Sequence, residues 1–566
     1  MGADPQQNLF VEQAEYLEPE WFQAWTTEHP EEESILRKLS QSGAKLLTGP
    51  RGSGKTTLLL KAYHRMLRDE HAAALPIYVN FKSSLKLEPL YKSNANAVYW
   101  FSQWMLLKVY QGLFATLNEL GSSLPEGLRL TQHEADHVAG QLELGQTELV
   151  GIKSAALDIP GLEADIRRML AVAGRNRCVL LLDDAAHAFS AEQQRDFFDF
   201  FRQVKSRTIS PKAAIYPGVT IYSSTFHVGH DAEEVNVWLN PLSSGYVPFL
   251  LSLLERRLPA DVYKNMISET ELIKLACYAS FGMPRAFLNM VRMFYRGSDE
   301  SRQYEVTFNR SSVLAAVKEV FENTMSVYRS LQVKLPLYAE FVNTGERLYG
   351  QAVDAVKSYN KEKPVERQSV LIAIQRPLPP ELSKVLGFFQ YSGLLMPRGE
   401  VSRGEKGVFE LYALHYAALI ERNALLGKRS VSVSEYVEAI EKRHSHEFTR
   451  VNPRTLVGTS NFSEAFPLSL PPCQVCRTPR VSEAARFCLN CGAQLKSISA
   501  FESIVSRRIE ELPLTETRVT RIKENSNIKT IKDILMDHDN KELRKVPRIG
   551  PYWAQRIYAY AEEYIA

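Results

Sequence analysis

Eight residues, Gly49-Pro50-Arg51-Gly52-Ser53-Gly54-Lys55-Thr56, follow the pattern G-x-x-x-x-G-K-[S/T]. The chemistry of such a loop is phosphate binding. Glycines let the backbone turn its N–H groups inward around an anion, and a helix that starts behind the loop adds the positive end of its dipole. Lys55 supplies a point charge for the β- and γ-phosphates, Thr56 offers a hydroxyl to Mg2+, and Thr57 opens the following helix. Further along, Val179-Leu180-Leu181-Leu182 runs into Asp183 and Asp184. A carboxylate at the end of an apolar strand is what a Mg2+ shell needs, directly or through water, and this role falls to Asp183. Asp184 is placed to polarise an attacking water, with a shorter reach than a glutamate would have. A third cluster has different chemistry. Cys473-x2-Cys476 and Cys488-x2-Cys491, with eleven residues between the pairs, form a four-thiolate set for Zn2+. It leaves no open coordination position, so the metal is structural.

These residues need particular elements to position them. From Ala44 to about Pro241, short apolar runs (Lys45–Thr48, Pro76–Phe81, Cys178–Leu182 and Gly218–Ser223) alternate with amphipathic helical stretches. That alternation predicts a parallel sheet covered on both faces. The loop then sits between strand Lys45–Thr48 and helix Thr57–Leu67. Residues 246–297 read as wholly helical. Helix Glu381–Gly393, a glycine-punctuated hairpin around Leu395–Leu411 and helix Ala413–Asn423 are what a winged helix looks like. The Ser/Pro-rich stretch Ser460–Pro472 marks a linker. Residues 509–565 read as short helices.

On the two motifs, residues from about 30 to 300 resemble a P-loop ATPase of the AAA+/STAND group, especially its origin-recognition-like branch. The resemblance implies ATP and Mg2+ as ligands. It also implies a polar first sensor at the end of Gly218–Ser223 (Ser223, Ser224 or Thr225). A second sensor would be Arg285 in Gly282-Met283-Pro284-Arg285, reaching the phosphates from a helical lid. Members of the group usually carry Asp-Glu at the strand end, whereas this chain carries Asp-Asp, as many switch-type STAND proteins do; slow turnover is the expectation. Arg202 and Arg207 are candidate arginine fingers for a neighbouring subunit, or simply residues of a solvated helix face. Phe487-Cys488-Leu489-Asn490-Cys491-Gly492 resembles a zinc ribbon. Val546-Pro547-Arg548-Ile549-Gly550, with Ala554 and Ile557, resembles a helix-hairpin-helix in which Gly550 permits the turn. The longer run from Ile509 to Leu543 is similar to the C-terminal domain of the bacterial RNA polymerase α subunit. Thr517 and Thr520 stand near that family's DNA-contacting positions, and Pro551, Tyr552 and Trp553 replace its lysines.

The expected fold class is therefore multidomain. An acidic N-terminal segment (1–40) precedes an α/β P-loop ATPase core with an AAA+-like parallel sheet (41–245). A helical lid (246–299), a winged-helix-like domain (300–430), a linker (431–470), a zinc ribbon (471–497) and an all-α helix-hairpin-helix domain (498–566) follow.

Composition limits the functions. Lys plus Arg number 68 and Asp plus Glu 65 in 566 residues, a net charge of +3. A chain that coats nucleic acid over its whole surface would be far more basic. The balance is uneven, because the first 36 residues hold nine acids and no Lys or Arg. There Trp21, Phe22 and Trp25 lie at helical spacing, as a cap on the next domain or a partner-binding patch. The most apolar stretch, Val98–Leu117, is broken by Ser102, Gln103, Lys108 and Gln111 and reads as a buried helix. With no signal peptide, a cytoplasmic protein is expected, off the membrane; Cys178 and Cys277 are expected in the core. No nuclease, protease or deaminase constellation is visible. The leading reading is an ATP-dependent switch that engages nucleic acid, DNA favoured, and works with a separate protein effector. The resemblance places such chains in anti-phage defence or mobile-element systems, with a homo-oligomer possible. The alternative is a STAND-type signalling ATPase whose C-terminal modules bind only proteins. Negligible turnover, from Asp184, is a third.

Overall fold

The computed structural model describes residues 17, 19–69, 71, 73–93, 96–147, 157–184, 190–296, 305–427, 431–441, 448–480, 485, 487–495 and 500–565. Five strands, β1 (Lys45–Thr48), β2 (Ala74–Asn80), β3 (Arg177–Asp183), β4 (Ile209–Ile215) and β5 (Glu233–Asn236), pair in parallel in the order β2-β3-β4-β1-β5. Side chains alternate across a strand, so each strand feeds both faces of the sheet. Leu47, Val179, Leu181 and Ala214 pack on one face against the phosphate-loop helix Lys55–Arg68 and helix Glu32–Ser40. Leu46, Leu180, Leu182 and Ala213 pack on the other against helices Ala97–Leu120, Ile159–Val172 and Ala191–Val204. The long helix Ala97–Leu120 is buried along much of its length, and among the described residues no helix is long and apolar enough to cross a membrane. Cys178 and Cys277 lie in the core.

The strand expected at Gly218–Ser223 is a turn followed by irregular chain; the strand is β4, just before it. β4 carries Pro211 and Lys212 in mid-strand, and both are buried. The Lys212 ammonium is satisfied by the carbonyls of Gln41 and Gly43.

Four helices (Tyr246–Glu255, Ala260–Ser268, Thr270–Ala279 and Pro284–Met293) form a lid, followed by a two-residue ribbon of β6 (Tyr295–Arg296) and β7 (Glu305–Val306). Beyond it, helices Arg310–Lys334 and Ala339–Asn360 pack with a sheet of β8 (Leu371–Gln375), β9 (Leu395–Ser402), β10 (Val408–Leu414) and β11 (Thr449–Val451), in the order β11-β8-β10-β9. The lid and this unit share one apolar core that runs from Tyr216 and Trp238 to Phe466. The expected linker 431–470 belongs largely to it. Helix Val433–Glu441 buries Tyr436, Val437 and Ile440, and β11 pairs with β8.

Helix Pro380–Ser392, expected as part of a winged helix, is enclosed. Leu382, Val385, Leu386, Phe388, Phe389 and Tyr391 are all buried. Its backbone touches the turn after β4, because Gly387 meets Gly218: a Cβ on Gly218 would lie 2.1 Å from the Gly387 carbonyl oxygen. Only its first turns reach the surface, at Pro380 and Ser383; the tip of the β9–β10 hairpin, Gly404 to Lys406, is exposed.

At the N-terminus, residues 1–16 lie outside the described residues. Helix Pro19–Trp25 packs on the core as a cap, with Phe22 against His64 and Trp25 beneath the Arg257 guanidinium. The C-terminal residues from Ala500 form a small helical module with its own core, including Ile504, Ile522, Ile531, Ile557 and Ile565. Its hairpin differs from expectation. The left-handed turn residue is Arg548 (φ 64°), and Gly550 does not adopt a positive φ.

Candidate nucleotide-binding site

The sheet order explains the site. β4 separates β1 from β3, so the loop after β1 and the acids after β3 face one another across the C-terminal edge, and whatever follows β4 lies between them. That residue is Tyr216. Its hydroxyl donates to Asp184 Oδ1 at 3.0 Å, and its ring lies 3.7 Å from the Lys55 ammonium. Burial, with Asp184 beside it, pushes its hydroxyl well above the ordinary phenol range.

Gly52 and Gly54 take positive φ in the loop (84° and 93°), which turns the backbone around the cavity and into helix Lys55–Arg68. The Lys55 ammonium donates to the carbonyls of Gly49 (2.8 Å) and Pro50 (3.0 Å). Burial lowers its pKa to about 7, against the pull of Asp184 and Asp183 and with the push of Arg285 and Arg51. Asp183 is fully enclosed; it accepts from Tyr78 (2.9 Å) and from the Asp184 N–H (3.0 Å). Asp184 sits in the left-handed region (φ 51°), a conformation that places its side chain beside Tyr216. Strained residues of this kind cluster where function demands a fixed geometry.

Arg285 opens helix Pro284–Met293 and comes close to the loop; a Cβ on Gly52 would lie 3.2 Å from the Arg285 Cβ. The lid therefore meets the phosphate loop directly. Ser53 Oγ and Arg285 Nε are buried without a hydrogen-bond partner among the described residues. One cavity is lined by Arg51 to Leu58, Asp184, Tyr216 and Arg285, and continues past Trp25, Thr27, His29, Phe249, Leu253 and Leu288. Beside the phosphate loop the lining thus becomes partly apolar. His29 is neutral there: burial lowers its pKa to about 4, despite the Val237 carbonyl and Glu32, and its Nδ1 accepts from the Glu31 N–H at 3.1 Å.

Arg51 to Thr57, Asp184 and Arg285 are thus brought to one cavity, with Gly49 and Pro50 behind it as carbonyl partners of Lys55 and Asp183 directly behind Asp184. The first-sensor candidates are not. Ser223 and Thr225 are hydrogen-bonded to each other, Thr225 also to Asp199, and these residues and Ser224 line no part of the cavity. The residue that follows β4 and lines the cavity is Tyr216. Arg202 and Arg207 are exposed at the end of helix Ala191–Val204, away from it. Sequence reading also missed His29 and a residue from the far end of the chain, Glu563.

The second site is the thiol cluster. The Sγ atoms of Cys473, Cys476, Cys488 and Cys491 all lie within 4.8 Å of one another. Cys473–Cys491 and Cys476–Cys488 are each 3.5 Å apart, far beyond the roughly 2.05 Å of a disulfide. Zn–S bonds of about 2.3 Å in a tetrahedron put sulfurs at such separations, so the donor set fits Zn2+. Two matching knuckles build it: Arg477 N–H reaches the Cys473 carbonyl and Gly492 N–H the Cys488 carbonyl, both at 2.9 Å. Arg477 (φ 61°) and Gly492 (φ 71°) take the same left-handed turn. Val475, Phe487 and Leu489 are exposed on the ribbon.

No protein-family model and no curated protein matches the chain. Solved structures similar to it include three archaeal proteins. The Walker-type ATPase of Pyrococcus abyssi is 13% identical, with a TM-score of 0.35 over 68% of this chain and 92% of that one. The Orc1 protein of Aeropyrum pernix in complex with DNA is 16% identical, with a TM-score of 0.29 over 74% and 95%. Cdc6p from Pyrobaculum aerophilum is 12% identical, with a TM-score of 0.28 over 73% and 96%. The chain's own strand order and the Gly49–Thr56 loop between β1 and helix Lys55–Arg68 give it a parallel α/β sheet of the P-loop type.

Proposed function

We propose that this protein is an ATP-binding and ATP-hydrolysing switch that engages DNA through its C-terminal parts. The observation that supports it most is the convergence on one cavity of Lys55 and Thr56 from the phosphate-loop helix, Asp184 after β3, Tyr216 after β4 and Arg285 from the lid. In this reading the loop N–H groups and Lys55 hold the β- and γ-phosphates, and Lys55 exchanges its two carbonyl partners for phosphate oxygens. Thr56 would hold Mg2+, with Asp183 in its shell directly or through water, and the ion would offset charge on the transferring phosphoryl group. Asp184, fixed by Tyr216, orients the attacking water. Arg285 reports the γ-phosphate to the lid, and because lid and downstream unit share one core, its movement carries the whole unit with it.

DNA engagement is drawn from the C-terminal module, where Arg544, Lys545 and Arg548 are exposed on the hairpin beside Tyr552. Arg518 stacks 3.4 Å from the centre of the Trp553 ring on the same module. The enclosed helix Pro380–Ser392 takes no part. Zn2+ at the four cysteines holds the ribbon together. A separate effector, in a defence or mobile-element setting, completes the proposal, since no other catalytic constellation is present in the sequence. Arg202 or Arg207 would serve a neighbouring copy. The apolar ribbon surface at Val475, Phe487 and Leu489 favours a second reading, in which the modules dock proteins only. ATPase assays of the full chain with and without duplex DNA separate the two. The proposal expects stimulation or binding that weakens steeply as salt rises. No DNA response, or a flat salt response, would leave the protein-docking reading.

A further inference from the structure

The cavity contains a side chain that a nucleotide site does not need. Glu563, near the end of the last helix (Pro551–Ile565), points its carboxylate at the phosphate loop. Its Oε1 lies 3.2 Å from Arg285 Nη1 and 3.4 Å from Arg51 Nη2, and Arg51 also donates to the Glu563 main-chain carbonyl at 3.2 Å. Burial would raise this carboxyl, but Arg51, Arg285, Lys82 and Lys334 outweigh it and hold it below the ordinary glutamate value. A polyphosphate would seek the same ring of cations.

The rest of the helix is docked close by. Lys86, in the turn after β2, lies 3.7 Å from Glu562 and faces the Tyr558 ring at 6.0 Å. Glu88 accepts from the Phe501 N–H at 3.0 Å. Leu85 from the ATPase core completes the module's apolar core, with Val333 packed against it. The docking thus joins these polar contacts to an apolar patch at Leu85 and Val333, around a module whose remaining core is its own, and such a contact can release.

We propose that the C-terminal helix is a built-in competitor of nucleotide: the Glu563 carboxylate occupies Arg51 and Arg285 in place of a phosphate, so nucleotide binding and docking of the C-terminal module exclude each other. The inference rests on the nucleotide-site reading above and names how that site is regulated. A phosphate on Arg285 and the loop would put like charge within a few ångströms of Glu563, in a setting that screens it poorly. Linkage makes the exclusion reciprocal: whatever factor docking takes from nucleotide affinity, nucleotide takes from docking. ATP then frees the hairpin for a partner.

The test uses the full-length protein and Mg2+-ATPγS. Binding is measured by calorimetry for wild type, Glu563→Gln and Lys86→Glu, with hydrogen exchange followed at amides 551–565. Glu563→Gln should bind at least about tenfold tighter than wild type, because the competent state is no longer taxed by docking. Lys86→Glu, which touches the docked helix but not the phosphate site, should tighten binding in the same direction. Saturating nucleotide should raise exchange over 551–565 in wild type. The proposal is overturned if wild type binds and both variants match it within about twofold, with exchange unchanged. A gain in Glu563→Gln alone, without undocking, overturns it too, since local charge would then explain the effect. If no form binds nucleotide, the nucleotide-site reading falls and the competitor with it, a result distinct from either of these.

Discussion

Tyr216→Phe removes one oxygen from the site and leaves the rest of the side chain in place. The lost atom donates to Asp184 at 3.0 Å, while the ring that remains covers the Lys55 ammonium at 3.7 Å. A hydrogen bond to a charged group contributes about 1.5–3 kcal/mol. If the hydroxyl holds Asp184 in line with the attacking water, that energy comes off transition-state stabilisation, and at about 1.4 kcal/mol per decade the hydrolysis rate should fall roughly 10- to 100-fold. ATP affinity should stay within about threefold, because the contact to Lys55 is preserved. Burial keeps the Tyr216 hydroxyl protonated far above neutral pH, so the loss should be equal at pH 6 and pH 9. Phosphate release and equilibrium ATP binding, measured side by side, make the comparison. Tyr216→Ala, which also uncovers Lys55, should lose affinity as well as rate. Wild-type hydrolysis by Tyr216→Phe, or a defect confined to affinity, would refute the role given to this residue.

Gly218→Ala should destabilise the chain by more than about 2 kcal/mol, since it combines a positive φ of 75° with a Cβ driven into the Gly387 backbone. Thermal melting reads this, and a neutral substitution would show that helix Pro380–Ser392 does not pack on the ATPase core. Cys473→Ser should abolish stoichiometric zinc and raise hydrogen exchange around the ribbon while ATP binding persists; unchanged metal content would remove the zinc assignment. His415 is enclosed, accepts from the Ala417 N–H through Nδ1, and burial lowers its pKa from 6.5 to about 3. Below pH 6.5 the unfolded chain takes up a proton that the folded chain refuses, so stability falls as pH falls, by up to about 1.4 kcal/mol per pH unit. His415→Gln should flatten the loss between pH 7 and pH 5 by about 2 kcal/mol in denaturant titrations, and an unaltered slope would contradict this.

What could be read from the sequence was local. The loop Gly49–Thr56, the pair Asp183–Asp184 and the four cysteines each carry their chemistry in a short spacing, and each assembles in the structure as a set. β4 was hidden because Pro211 and Lys212 sit in the middle of it. A proline forgoes a ladder hydrogen bond and a lysine is rarely central, so the pattern pointed downstream to Gly218–Ser223 and from there to Ser223, Ser224 and Thr225, which do not line the cavity. Tyr216 becomes visible only when β4 is placed between β1 and β3. Residues 431–470 looked like a linker because the segment ends in the Ser/Pro-rich stretch Ser460–Pro472, yet within it β11 pairs with β8, Thr449 opposite Ile372. The Arg548 turn shows the same limit at small scale: Gly550 looked like the turn residue, and Arg548, two residues earlier, took the left-handed conformation. Glu563 meets Arg51 across 512 residues, and no local pattern encodes that contact.

The central claim is that the cavity at the sheet edge is a Mg2+-ATP site whose charge centre is Lys55. Equilibrium binding of Mg2+-ATP to the wild-type chain and to Lys55→Ala tests it most directly. Losing one partner of a buried, hydrogen-bonded charge pair costs about 2–5 kcal/mol, so the variant should bind at least about thirtyfold more weakly while melting as a folded protein. Equal affinity in the two proteins would contradict the account.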